Sequence, residues 1–177
     1  MDNHNLALWF AFLGHALLDA EPDQLRSLAM ELGECDTMEP AWRETLDALV
    51  KALDEQPGAL RVDHTRLFYS PDGVVCPPWQ SANSEEPRLM GDSHIRAIEW
   101  YRKEGIEPLN PGEPADHAGL LLVFYSRLLA QDAPAEQLSA FGEDHLAWMS
   151  GFADCLLQHA RHPFLLRVAE ALRLLVG

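Results

Sequence analysis

The chain has 177 residues, 47% of them hydrophobic, and a formal net charge of −15. That apolar share can bury a core without disulfides or metals and argues against native disorder. The acidic balance repels phosphate backbones and speaks against nucleic acid as a partner, while favouring solubility and contact with basic peptides.

The opening run MDNHNLALWFAFLGHALLD has no basic flank, and His4, His15 and Asp19 interrupt it. It is too short to span a bilayer, which needs about 20 apolar residues, and reads as a first core helix. Leu6, Phe10, Leu13 and Leu17 share one stripe; Leu25, Leu28, Ala29 and Leu32 form a second. Trp42, Leu46, Leu49 and Leu53 form a third, with Pro40 suited to the first turn. A short helix is predicted around 59–69, and another within 88–104 carries Ile95, Ile98 and Tyr101 and ends at Gly105. Leu121, Tyr125 and Leu128 stripe the helix after Pro114. Phe141, His145, Trp148, Phe152, Cys155 and His159 follow in steps of three and four, as one helix would, and Leu165, Val168, Leu172 and Leu175 close the chain after Pro163. No stretch shows period-2 alternation. The fold expected is all-α: one domain over 1–177, a bundle of about eight helices with a long central loop.

Two segments break the helical pattern. Residues 70–87, SPDGVVCPPWQSANSEEP, make a loop longer than compact domains usually carry, with a tryptophan and a Pro-Pro pair. Residues 105–114, GIEPLNPGEP, are stiffened by proline and form a candidate hinge. These connections leave the C-terminal helices open to exchange between protomers, as in a domain-swapped homodimer. Cys35, Cys76 and Cys155 are widely spaced and odd in number, which speaks against a disulfide framework and suits a reducing cytosol. Without CxxC spacing no structural zinc site is expected, and Cys76, with nothing basic beside it in sequence, reads as inert.

Glu113, Pro114, Asp116 and His117 form E-P-A-D-H at the expected start of a helix. Proline suits the first helical position, and carboxylates there cap the exposed N–H groups. The competing reading is that Asp116 and His117 face a groove and hydrogen-bond a ligand. His145 and His159 lie on an apolar stripe and read as packed or groove-edge residues.

The run Asp63-His64, Leu67-Phe68 and Pro71, then Pro77-Pro78-Trp79 and Ser81, then E-P-A-D-H at 113–117, resembles the motif series of the TorD/DmsD/NarJ family. His145-Leu146, Trp148, Phe152 and His162-Pro163-Phe164 continue the likeness, which covers about 60–177. The resemblance implies a cytoplasmic, non-catalytic chaperone. Its partner would be the catalytic subunit of a molybdenum-cofactor oxidoreductase, bound through an N-terminal segment, commonly a twin-arginine signal peptide, until the cofactor is inserted. By position it implies Leu67, Phe68, Pro71, Pro78, Trp79, Glu113, Pro114, Asp116 and His117 as peptide-binding residues. Such a signal joins two guanidinium groups to an apolar run, so its receptor needs carboxylates and an apolar groove. Asp116 and Glu113 supply the first, and Trp79, Phe68 and Leu67 the second. No cofactor, metal or catalytic residue is expected of this chain itself. Two other readings compete: a metal-dependent helical hydrolase, suggested superficially by Asp116-His117, and a generic acidic helical adaptor. The hydrolase lacks the several His/Asp ligands it would need, and the sequence has no nucleophile elbow and no phosphate-binding glycine loop.

Overall fold

The computed structural model describes residues 2–35, 38–107 and 112–177. Among them the chain is all-α, as the periodicity predicts. The order is α1 (Asn3–Leu18), α2 (Pro22–Gly33), α3 (Pro40–Leu53), α4 (Pro57–Phe68), a 3-10 turn at Gln80–Asn83, α5 (Asp92–Lys103), α6 (Ala118–Ala130), α7 (Ala135–His145), α8 (Met149–His159) and α9 (Pro163–Val176). Proline stands in the first turn of α3 and of α9, where its missing N–H costs nothing. Gly105 ends α5 with φ +69°. Its N–H donates to Arg102 O and that of Ile106 to Tyr101 O, a paired closure that a left-handed glycine permits.

The centre is α1 against α6. Both are apolar nearly all round, so α1 is buried on more than the single stripe expected, with Trp9, Phe12, Leu13 and Leu17 wholly enclosed. α2 and α9 pack on α1, α3 packs on α2 and α9, and α9 also packs on α8. Aromatic contacts fill the joins: Trp9 on Trp42 with centroids 4.9 Å apart, Phe10 on Tyr125 at 4.8 Å, and Phe12 on Phe164 at 6.3 Å.

Two glycines let α1 and α6 approach. A Cβ on Gly119 would stand 2.6 Å from Gly14 O and 2.6 Å from Leu18 Cγ. A backbone oxygen cannot swing aside, so Gly119→Ala is expected to cost about 1–3 kcal/mol despite alanine's better helix propensity. Gly151→Ala in α8 meets nothing within 4 Å and is the control, expected to be neutral or stabilising. Thermal melts of the two variants check the close approach, which is wrong if both melt later than the parent.

Three expectations need correction. The stripe from Phe141 to His159 is two helices, so the described residues hold nine. In a continuous helix the N–H groups of residues 148 and 149 would donate to Asp144 O and His145 O. Here Gln80 Nε2 donates to Asp144 O at 2.7 Å and Trp148 Nε1 to His145 O at 2.9 Å, so side chains have taken both acceptors. Next, Pro114 is not the first residue of α6, which begins at Ala118 with His117 as its N-cap. Finally, Cys76 and Cys155 form a disulfide across 79 positions. Widely spaced cysteines gave no sign of a partner because only the packing of the loop on α8 brings them together. The centre of the candidate hinge, 108–111, lies outside the described residues.

Candidate functional site

The loop after α4 crosses the molecule as a strap. Val75 and Cys76 N–H both donate to Leu67 O, and Trp79 then meets His117 in an isolated antiparallel bridge. Ala118 N–H donates to Pro78 O at 2.7 Å and Gln80 N–H to Asp116 O at 3.0 Å. Asp116 holds the strap from within: its Oδ2 accepts Ser81 N–H at 2.7 Å, and its side chain is wholly buried. The E-P-A-D-H segment is itself fixed from α5, where His94 Nδ1 accepts Ala115 N–H and Tyr101 donates its hydroxyl to Ala115 O.

His117 is equally buried. Its Nδ1 accepts Gly119 N–H at 3.0 Å, which places the ring proton of the neutral form on Nε2, 3.3 Å from the Tyr69 hydroxyl. Burial, with His64 nearby, pushes the His117 pKa down to about 3, so the ring is neutral across the ordinary range. Burial likewise lowers His64, whose Nε2 lies 3.1 Å from Leu17 O, and pushes His145 down to about 4 against the pull of Asp144. The Gln80 amide is oriented by its bond to Asp144 O, so its Oε1 accepts from His145 Nδ1 at 2.8 Å.

The placement of the sequence-derived site residues follows from this. Leu67, Phe68, Pro78, Pro114, Asp116 and His117 are buried; Trp79 is half-buried, and Pro71 and Glu113 are exposed. Asp116 and His117 therefore do not line an open groove and do not meet solvent; they anchor the strap and cap α6. Asp116 is no helix cap, since its acceptor bond goes to the strap. The half-open surface beside them carries Tyr69, which sequence reasoning missed because an aromatic at a helix end has no periodic mark. Tyr69 is 40% exposed, enough for a partner to reach it, and its ring contacts Trp79 and His64. Burial raises its pKa, as do the neighbouring carboxylates of Glu113 and Asp19.

Glu113 links this aromatic edge to a cavity of about 690 Å³ between α5 and α6. Its walls include Tyr101, Ile106, Leu120, Val123 and Phe124, with Glu107 and Arg127 also lining it. An apolar cavity with carboxylates beside it suits an apolar peptide that carries cations, by burial of the first and charge-assisted hydrogen bonds to the second. Among the described residues no three His, Cys, Asp or Glu side chains gather where they could hold a metal ion, and no helix is long and apolar enough to cross a membrane.

Comparison with known proteins places the chain among relatives of the same family and fold. The family described as nitrate reductase delta subunit matches residues 35–162. The Tat proofreading chaperone DmsD of Salmonella typhimurium is 38% identical over 114 residues, 62% of this chain and 54% of that protein, so the match spans about half of the relative. The chaperone protein TorD of Vibrio parahaemolyticus is 27% identical over 84% of this chain and 76% of its own. A crystal structure of a candidate redox enzyme maturation protein from Archaeoglobus fulgidus superposes with a TM-score of 0.65 and 27% identity, covering 98% of this chain and 92% of that one.

Proposed function

Because the chain belongs to the nitrate reductase delta subunit family, the group of TorD-, DmsD- and NarJ-like proteins whose motifs it carries, we propose that it is a system-specific chaperone of a molybdenum-cofactor oxidoreductase. It binds the N-terminal segment of that enzyme's catalytic subunit, a twin-arginine signal peptide where the client is exported, and assists cofactor insertion before assembly or export. It works in the cytoplasm and catalyses no reaction.

The observation that carries the binding face is the apolar cavity bordered by Glu113 and Glu107, next to Tyr69 and Trp79. The peptide's apolar run lies on Ile106, Leu120 and Val123, and its arginines meet the two carboxylates. Pro71, Trp79 and Glu113 touch the client directly. Leu67, Phe68, Pro78, Pro114, Asp116 and His117 act beneath them, by holding the strap and the start of α6 in place.

Calorimetric titration with the client's N-terminal peptide tests this. Glu113→Gln combined with Glu107→Gln is expected to weaken binding by up to roughly thirtyfold, the worth of two exposed ion pairs at up to about 1 kcal/mol each, without lowering the melting temperature. Replacing both peptide arginines by glutamine should give a similar loss, not additive with the first, and affinity should fall as salt rises. Tight binding that ignores all three changes would place the client elsewhere on the chain.

A further inference from the structure

The strap is fastened at one end by a covalent bond that the peptide reading does not use. Cys76 is wholly buried at the root of the strap, whereas Cys155 is only partly buried on α8. The Cys155 sulfur lies 3.5 Å from Val75 O, an acceptor ready for its S–H in the reduced state. We propose that Cys76 and Cys155 form a reversible thiol–disulfide exchange site that sets how firmly the strap is held, with a protein dithiol as reductant and a low-molecular-weight disulfide as oxidant.

The asymmetry of exposure gives the chemistry an order. The attacking thiolate of the protein dithiol reaches the more exposed Cys155 sulfur, forms a mixed disulfide with it, and expels Cys76 as a thiolate that takes up a proton. The second thiol of the reductant then attacks its own sulfur in that mixed bond and releases Cys155, also to be protonated. Two thiols appear on this chain and one disulfide on the partner, so electrons and protons balance. The reverse path, through a small disulfide such as that of glutathione, restores the bond.

The structure also fixes what changes. The strap keeps its hydrogen bonds to Leu67 at Val75 and Cys76, and to Asp116 and Ala118 beyond them, so reduction leaves it docked and the helices intact. Yet four of the five buried side-chain polar atoms that go unpaired among the described residues, Trp79 Nε1, Ser81 Oγ, Asp116 Oδ1 and His145 Nε2, sit on the strap or on its seat; the fifth, Trp9 Nε1, lies in α1. Groups that gain hydrogen bonds on reaching water make local opening cheap, and the crosslink is what restrains it. In a cytosolic chain such a bond belongs to the exchangeable kind, not to a secretory framework. The inference takes the cytoplasmic location from the proposed function and otherwise needs only the cysteine pair and the strap, whether or not the cavity takes a client peptide.

The test uses the intact protein. After equilibration with glutathione disulfide, alkylation in denaturant followed by mass spectrometry should mark Cys35 alone; after reduced thioredoxin it should mark all three. Circular dichroism should stay helical throughout. Hydrogen exchange at the amides of Cys76, Gln80 and Ser81 should quicken by about tenfold or more on reduction, while α1 and α6 are unchanged. Cys155→Ser should reproduce the reduced pattern under either treatment, and Cys35→Ser should leave the redox response intact. The proposal is overturned if the pair stays as thiols under the oxidant, or if thioredoxin cannot reduce it in the native protein. It is equally overturned if strap exchange is the same in both states, or if reduction unfolds the whole chain.

Discussion

Replacing Asp63 by alanine is expected to lower stability by about 3–5 kcal/mol, the usual cost of breaking a buried ion pair from one side. Asp63 is 5% exposed, and both of its oxygens are engaged. Oδ1 accepts from Arg66 at 2.6 and 2.9 Å, while Oδ2 accepts the N–H groups of Arg161 and His162 at 2.7 and 2.8 Å. Arg66 donates as well to His159 O, and His162 caps α9 by accepting Phe164 N–H. One carboxylate thus ties α4 to the end of α8 and the start of α9, nearly a hundred residues away. Alanine would leave one buried and one part-buried N–H donor and a half-buried guanidinium without their acceptor.

The same node has a pH signature. Burial pushes the Asp63 carboxyl up, but the backbone bonds from His162 and Arg161 and the pairing with Arg66 outweigh it, so the folded pKa lies below 3.8. A depressed carboxylate contributes stability above its unfolded pKa and loses it as pH falls through the folded one. The gap between parent and Asp63→Ala should therefore be full at pH 7 and narrow only below about pH 4. Urea unfolding at both pH values checks it; equal midpoints at pH 7 would mean that the node carries no load.

Asp63 also shows what the sequence could and could not reveal. Its place beside His64 was visible as a motif, but its partners at 161 and 162 carry no local trace, because a backbone N–H has no residue identity. Helices were legible wherever apolar steps of three and four followed a proline, as in α3 and α9, or ran up to a glycine, as in α5 and α9. They were misjudged where a distant side chain intervened. Phe141 to Cys155 keeps helical spacing through the break, and only Gln80 and Trp148, by taking the two carbonyls, divide it. The E-P-A-D-H segment was found as chemistry and misplaced as geometry: charge and hydrogen-bonding capacity mark a site, but they do not say whether a carboxylate faces a ligand or a loop. Ser81 N–H decides that for Asp116. The disulfide was hidden for the same reason as the Asp63 node, since it depends on a loop crossing that no periodicity encodes.

Stability is expected to fall steeply as pH drops from about 6.5 toward 4, well before the carboxylates titrate. Burial, with His64 nearby, pushes His117 down to about 3, and burial pushes His145 to about 4. Both folded values lie under the unfolded value of 6.5, so the unfolded chain binds protons more readily through this window. Each ring then contributes fully above about pH 6.5 and loses up to about 1.4 kcal/mol per unit below it. Two rings acting together remove about 3 kcal/mol per unit, a large part of an ordinary domain's stability by about pH 4.5. His117→Asn separates them. Asparagine keeps an acceptor for Gly119 N–H at the α6 cap but cannot titrate, so the slope between pH 4 and 6.5 should fall by up to about 1.4 kcal/mol per unit, the remainder staying with His145 and with His64, which burial lowers too. The comparison is made by urea unfolding at successive pH values with slopes taken between them. A variant with the parent's slope would show that His117 is not held neutral by its burial, and that the hydrogen bonds drawn from its Nδ1 and Nε2 do not persist in solution.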